Sequence, residues 1–387
     1  MRRFDRFSVA MTDVLHGELR HFLSREDLQE DLCFALYRPS LGATRFTALL
    51  VTPVLPGHGD RSVHGNVGFL PTYFERTVSE AVEAKTGIAF LHSHPLADKW
   101  QGMSHDDFTA ESEMAAAIQS ATGLPLIGLT LSCKSGFWSG RSWLRDAGRW
   151  IPNNCENVRV LGRRCRWDFC PSVKHIPNFP ETLDRTVSAW GSRVQSQLAS
   201  LRVGIIGLGS VGALVAESLA RVGFGELLLI DPDRVESVNL DRTLNAYPEH
   251  AASAARKVQV AACSAARGAT FPGFRIESLS TGIQDPRAYG AALDCDVLFS
   301  CVDRPWPRYI LNQIAYAHFI PVIDGGIDVS RNTGGELRSA DWGVFVVSPG
   351  RRCLECWGQY KQELVPVERA GNLDDPRYIE TLPKRAL

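Results

Sequence analysis

LRVGIIGLGSVGALVAESLARVGFGELLLID, residues 201–231, is the stretch from which the architecture can be read. LRVGIIG is a short continuous apolar run, as in strands buried on both faces, and ELLLID is a second. SVGALVAESLARVG between them is an apolar helix ending in glycine. Strand, helix and strand in this order make a βαβ unit, which opens a doubly wound α/β domain. The loop GLGSVG carries Gly207, Gly209 and Gly212. Glycines there let the backbone turn tightly and approach a phosphate, whose charge the exposed N–H groups and the helix N-terminus stabilise. Asp231 ends the second strand, 19 residues past Gly212, where an acid commonly accepts hydrogen bonds from a ribose. Taken alone, these features make an NAD-linked oxidoreductase the default reading.

The residues that follow tip the choice. DPDRVESVNLDR supplies Asp233, Asn239 and Arg242, and RKV supplies Lys257. FSCVDRPWPRYILN places Asp303 after another buried strand, with Arg308 and Asn312 behind it. A nicotinamide enzyme has no need of an arginine and a lysine aimed at a triphosphate, nor of an acid for magnesium. An adenylating enzyme needs all three, because pyrophosphate leaves while a carboxylate attacks the α-phosphate, and positioning plus charge neutralisation supply most of the catalysis. The competing reading is that Asn239 and Arg242 cap a loop and Lys257 is a solvated surface charge.

This constellation resembles the ThiF/MoeB/HesA family of E1-like adenylating enzymes, from about Thr182 to Tyr360. The resemblance implies a Rossmann-like domain that uses Mg·ATP to adenylate the C-terminal glycine of a ubiquitin-like or sulfur-carrier protein. Gly207, Gly209 and Gly212 would approach the phosphates, Asp231 would hold the ribose with Asp233 beside it, Asn239, Arg242 and Lys257 would take the phosphates, and Asp303 the magnesium. Arg185, in LDRTVSAWGSRVQSQL, matches the family's arginine that reaches into the partner subunit's ATP site, which implies a homodimer. Cys353 and Cys356, in RRCLECWGQY, resemble the first half of the family's structural zinc site. Tetrahedral zinc takes four ligands, and no cysteine follows Cys356 in this sequence. A longer chain, a metal-free knuckle and ligands from elsewhere all stay open. An E2-like protein or another thiol is a candidate onward acceptor, and whether transfer to a thiol occurs without a downstream cysteine stays open.

From Asp31 to about Trp143, β-rich pieces such as DLCFALYRP, TALLVTPVL, TGIAFLHSHP and PLIGLTLSC alternate with helical PTYFERTVSEAVEAK and DDFTAESEMAAAIQSA. This predicts a compact mixed-sheet α/β domain over residues 1–152, with strands that mostly form hairpins. Residues 153–180 hold prolines and no clear period and read as a linker. Residues 181–387 make the second domain, open to being incomplete at its C-terminus.

His92 and His94 in LHSHP end an apolar strand, where residues two apart face the same side and can converge on one metal. Asp107 is the third candidate ligand, with Asp106 as its competitor, and water would take the fourth position. Such an open site polarises a carbonyl and lowers the pKa of bound water towards neutrality. Glu30 is the candidate general base, with Asp31 as the alternative, and Ser104 the candidate oxyanion donor. Ser104 and Asp107 also suit an N-terminal helix cap. Glu, then His-x-His-Pro, then Ser-x-x-Asp resembles the JAMM (JAB/MPN) metalloproteases, from about Phe22 to Trp143. That resemblance implies a JAB/MPN-type domain with a catalytic zinc, cleaving peptide or isopeptide bonds after the C-terminal glycine of ubiquitin-like proteins.

Bulk properties frame these readings. A chain of 387 residues exceeds what one hydrophobic core usually serves. The 42 Lys and Arg nearly balance the 43 Asp and Glu without long runs of one sign, which argues against a nucleic-acid surface. The start, MRRFDRFSVAMTDVLHGELRHFL, has no apolar signal core, and no run approaches the roughly 20 apolar residues of a transmembrane helix. The expectation is a cytoplasmic protein without a membrane partner. Its ten cysteines, scattered and without a secretory signal, read as reduced thiols. Cys165, Cys170 and His175 have loose metal-like spacing but read as structural. A bifunctional enzyme acting on one Gly-ending tail is the leading reading. A non-catalytic sensing module and the NAD-linked oxidoreductase are the alternatives.

Overall fold

The computed structural model describes residues 4–63, 67–173, 178–332 and 334–373. The chain divides into two compact units, residues 1–175 and 176–387. The first runs β1 (Arg6–Thr12), α1 (Asp13–Leu23), β2 (Leu32–Leu41), β3 (Arg45–Val54), the two-residue β4 (Arg61–Ser62) and β5 (Gly68–Phe69), α2 (Pro71–Ala84), β6 (Gly87–His94) and α3 (His105–Thr122). It continues through β7 (Ile127–Ser132), β8 (Phe137–Asp146), β9 (Arg149–Asn154), β10 (Asn157–Leu161) and β11 (Arg166–Phe169).

Its main sheet has the order β11-β10-β1-β3-β2-β6-β7-β8-β9. Most neighbours are antiparallel, as the hairpin expectation required. The parallel pairs are β1 with β10, β1 with β3, and β6 with β7. The linker expected over residues 153–180 is corrected by β10 and β11. NVRVL of β10 is buried at every position and pairs with the N-terminal strand β1. A run this short shows no period, and its partner lies far away in sequence, so local pattern alone does not mark it as a strand.

Strand alternation sorts the side chains onto two cores. Cys33, Ala35, Tyr37, Ala89 and Leu91 pack with Leu15, Leu19 and Leu23 of α1 on one face. Leu32, Phe34, Leu36, Ile88 and Phe90 pack with Tyr73 of α2 and Met114 and Ile118 of α3 on the other. His92 and His94 continue the second series, so the sheet turns both imidazoles towards the face that α3 covers. A charged pair lies within that face. Glu111 of α3 and Arg141 of β8 form an ion pair while only 0% and 2% exposed. Trp143 donates to Glu111 at 2.6 Å and Arg141 donates to the Thr130 hydroxyl at 2.9 Å. Gly128 makes room for them, because a Cβ there would overlap the Glu111 carboxylate.

The second unit runs α4 (Asp184–Trp190), α5 (Ser192–Ser200), β12 (Arg202–Ile206), α6 (Ser210–Val222), β13 (Glu226–Ile230), α7 (Pro248–Ala252), α8 (Lys257–Gly268) and β14 (Arg275–Leu279). It ends with α9 (Pro286–Leu293), β15 (Val297–Ser300), α10 (Pro305–Ala317), β16 (Val322–Arg331), β17 (Leu337–Val347) and α11 (Leu364–Arg369). The sheet order is β14-β13-β12-β15-β16-β17, parallel except for the last pair. This is the doubly wound arrangement expected from residues 201–231. Among the described residues no helix is long and apolar enough to cross a membrane.

Two stability predictions follow from the first unit. Glu111→Ala strands Arg141 as a buried unpaired charge and is expected to cost about 3–5 kcal/mol, read from the denaturant midpoint. Adding Arg141→Met should recover most of that loss. His16 accepts a 2.9 Å hydrogen bond at Nδ1 from Trp138, and burial, with Arg166 and Arg20 nearby, lowers its pKa to about 4. Because the folded value lies below the unfolded one, its contribution is complete above about pH 6.5 and is lost as pH falls towards 4. His16→Gln should flatten that acid limb in melting curves taken across the interval.

Candidate functional site

The strand order of the second unit reverses between β12 and β15, and the crevice beyond the carboxyl ends of such strands is where open α/β sheets bind ligands. A cavity of about 530 Å³ lies there. Gly207, Gly209, Asp231, Asp233, Asn239, Arg242, Lys257 and Asp303 all line it. Gly212 supports the loop from behind. Its α-carbon rests against the Gly207 carbonyl, where any Cβ would overlap, and Gly207 itself has φ +87°. Only glycine satisfies both conditions without strain.

Asp231 is almost fully buried and bonded on both oxygens. It accepts from the Leu208 amide at 2.6 Å and from the Asp233 amide at 2.8 Å. Burial outweighs both bonds and raises its pKa. Lys257 Nζ pairs with Asp233 at 2.9 Å. Asn239 accepts from the Glu236 amide at 3.0 Å, and Arg242 donates to the Val238 carbonyl at 2.6 Å and to Asp241 at 2.9 Å. These two side chains therefore brace their loop and line the cavity at once. Asp303 is exposed at the rim. Cations, a helix N-terminus and exposed carboxylates around one cavity can hold a polyphosphate together with its metal ion.

Other expected residues fall elsewhere. Asn312 is buried outside the cavity, accepts from the Leu354 amide at 2.9 Å and donates to the Tyr360 hydroxyl at 3.3 Å. It thus braces the segment bearing Cys353 and Cys356. The Cys356 amide donates to Cys353 Sγ at 3.3 Å, and among the described residues no cluster of three metal-binding side chains includes either cysteine. Arg185 is exposed on α4 and does not line the cavity. Cys170 lies 3.1 Å from the Ser172 hydroxyl, and His175 lies outside the described residues. Ser210, Gln284, Gly325 and Gly326 line the cavity without having been singled out. The glycine pair after the buried run PVID was the available signal.

In the first unit, His92, His94 and Asp107 bring one donor atom each within 4.8 Å of one another. His92 Nε2 lies 3.3 Å from Asp107 Oδ1, and His94 Nε2 lies 4.0 Å from Asp107 Oδ2 and 3.8 Å from Glu30 Oε1. Burial, then the charge of Arg141, pushes His92 down to about 3, so its imidazole is neutral, the form that binds metal. Burial pushes Asp107 upwards, but His92 and the bonds from Ser104 prevail and hold it below the usual carboxylate range. Burial raises Glu30, against the pull of His94. Ser104 caps α3 by accepting from the Asp107 amide at 3.1 Å, while its own amide donates to Asp107 Oδ2 at 2.8 Å. The capping pair thus ties both the Ser104 hydroxyl and its amide to Asp107.

The alternatives separate here. Asp31 is buried and paired with Arg61 at 2.6 and 2.8 Å, so it is not available as a base. Asp106 is exposed and outside the three-residue cluster. Sequence reasoning missed Thr130, 3.3 Å from His92 Nε2, and Gln101, 3.4 Å from His94 Nδ1. It also missed Arg141 and Glu111, although an arginine inside the strand FWSGRSW was a legible anomaly.

The class defined by this fold and cavity is a Rossmann-type nucleotide-binding domain. Residues 183–375 match the ThiF family, so the second unit is a ThiF-family domain. The chain is 29% identical over 137 residues to the SAMP-activating enzyme E1 of Haloferax volcanii, covering 35% of this chain and 49% of that protein. It is 32% identical over 165 residues to the ubiquitin-like modifier-activating enzyme 5 of Drosophila pseudoobscura pseudoobscura, covering 38% and 39%. It thus spans less than half the length of these curated relatives. The crystal structure of E. coli MccB with AMPCPP and MccA is 21% identical, with a TM-score of 0.39, covering 54% of this chain and 58% of that one.

Asp231→Ala tests the loop's foundation. It leaves the Leu208 and Asp233 amides without their acceptor, at about 1–3 kcal/mol for each donor left buried and unpaired. Urea denaturation should show the loss, and Asp231→Asn, which keeps one acceptor oxygen, should show about half of it.

Proposed function

We propose that the second unit uses Mg·ATP to adenylate the C-terminal glycine carboxylate of a ubiquitin-like or sulfur-carrier protein. The observation that carries this reading is the convergence of Gly207, Asp231, Asn239, Arg242, Lys257 and Asp303 on one cavity. The residues suit the nucleotide. The glycine loop and the start of α6 offer N–H groups to phosphate, Arg242 and Lys257 offer positive charge, and Asp303 offers a carboxylate to magnesium. Bound Mg·ATP would supply an electrophilic α-phosphate and pyrophosphate as leaving group. Lys257 and Arg242 would stabilise charge gathering on the departing pyrophosphate. Lys257 would have to exchange its partner Asp233 for phosphate, which the half-open position of that pair permits. Arg185 would serve the cavity of a second copy in a homodimer.

For the first unit we propose zinc-dependent hydrolysis of a peptide or isopeptide bond after the same kind of glycine tail. The donor set suits zinc. Two donors at about 2.0–2.1 Å from a tetrahedral ion lie roughly 3.3 Å apart, and the His92–Asp107 separation is 3.3 Å. Zinc would supply an activated water and a polarised carbonyl. Glu30, with its raised pKa and its position beside His94, would take the proton from water and pass it to the leaving amine. The Ser104 hydroxyl would steady the developing oxyanion.

Two assays separate the units. Lys257→Ala should abolish ATP–pyrophosphate exchange driven by a ubiquitin-like protein and leave cleavage of a tail fusion intact, whereas Glu30→Gln should do the reverse. Exchange in the wild type that proceeds equally without any acyl protein would refute the adenylation reading. Elemental analysis should find about one zinc per chain that is lost in His94→Ala. A wild type that binds no zinc after metal-replete purification would refute the hydrolase reading alone.

A further inference from the structure

The strand order lays the cavity out in sequence. Asp231 follows β13, the glycine loop follows β12, Asp303 follows β15, and Gly325 and Gly326 lie in β16. Neighbouring strands stand about 4.8 Å apart. A nucleotide with its ribose at Asp231 and its phosphates at the glycine loop therefore leaves the β16 end, roughly two strand spacings further on, to another ligand.

That end is built around Arg308, whose side chain is 15% exposed and lines the cavity. Its Nη1 donates to the Gln359 carbonyl at 2.8 Å, and its Nε lies 3.4 Å from Asp324 Oδ1. Among the described residues its Nη2 donates to no acceptor. Asp324 is fully buried and accepts from the Ser300 hydroxyl at 2.5 Å, so the carboxylate behind the guanidinium is itself held in place. Gly326 lets the guanidinium lie against the strand, since a Cβ there would come within 3.0 Å of Nη2. A fixed, mostly buried guanidinium with a free N–H on a cavity wall is a site for a planar anion. The two glycines beside it leave space for an extended chain that lacks side chains of its own.

We infer that Arg308, with the Gly325–Gly326 strand, binds the terminal carboxylate of a glycine-ending peptide and holds it for attack, with Asp324 and Ser300 as positioning residues. This rests on the adenylation reading of the cavity. In the step served, a carboxylate oxygen forms a bond to the α-phosphorus. The bond from that phosphorus to the bridging oxygen breaks, and its electron pair leaves with pyrophosphate. No proton or electron passes to the protein.

The test is calorimetry on the full chain with a non-hydrolysable ATP analogue and magnesium, followed by a synthetic peptide ending in Gly-Gly, either as free carboxylate or as C-terminal amide. The wild type should bind the analogue and then prefer the carboxylate peptide roughly tenfold to a hundredfold. Arg308→Gln should erase the preference with less than a twofold change for the analogue, and so should Gly326→Ala, which decides the matter if the arginine variant does not fold. Equal binding of acid and amide, binding of neither peptide by a protein that binds the analogue, or parallel loss of analogue and peptide in the variants would overturn the inference. Failure of the wild type to bind the analogue would instead remove the adenylation reading on which it stands.

Discussion

The chemistry of the second unit hangs on Asp231. Its carboxylate follows a strand buried at every position after Glu226 and is committed on both oxygens to backbone amides, one in the glycine loop and one at the turn into the next segment. The loop is therefore fixed to β13 before any ligand arrives, through the Leu208 amide to Asp231 and the Gly207 amide to the Ile230 carbonyl. Burial alone would make this carboxylate costly, and its raised pKa records that cost. The two amide bonds offset part of it, and the remaining lone pairs are what a ribose hydroxyl would meet. The contact between Gly212 and the Gly207 carbonyl sets the second constraint, by bringing α6 close enough for its N-terminus to act on the same space.

The first unit reaches a polar site by a different route. Strand alternation in β6 carries two imidazoles to the α3 face, and the capping box that starts α3 also aims Asp107 at them. Capping and ligation are therefore not competing explanations of Ser104 and Asp107, since one geometry would serve both. Beneath them, Glu111, Arg141 and Thr130 link the α3 face to His92 through hydrogen bonds. Such a network is weak evidence for stability. Its evident effect here is local: a nearby guanidinium, added to burial, keeps the His92 imidazole neutral and fixes the floor on which it rests.

Residues 201–231 were legible because buried parallel strands and a glycine-terminated helix leave signals within a few residues of one another. The cavity residues were legible as types, and eight of those expected do line it. What escaped was nonlocal. β10 owes its place to a partner strand at the other end of the unit, and no pattern within NVRVL announces it. Arg308 and Gly326 lie on different elements, and only the fold shows that one makes room for the other. That Asp31 is already engaged likewise needed Arg61, which sequence proximity does not connect to it.

The two proposed chemistries complete each other. Hydrolysis after a terminal glycine releases a carboxylate, and a free carboxylate at neutral pH is a poor acyl donor because no good leaving group is attached. Converting it to a mixed anhydride with AMP supplies that leaving group at the expense of ATP, so one unit would produce the species that the other consumes. Both would have to recognise an extended tail with little side chain to grip, and backbone hydrogen bonds and the terminal charge are then the handles available. A guanidinium held from behind by Asp324 and Ser300 reads that charge. It would separate a tail already cut, which carries a carboxylate, from one still linked through an amide, which does not. Selection of that kind would keep the adenylating cavity from being blocked by conjugates it cannot activate.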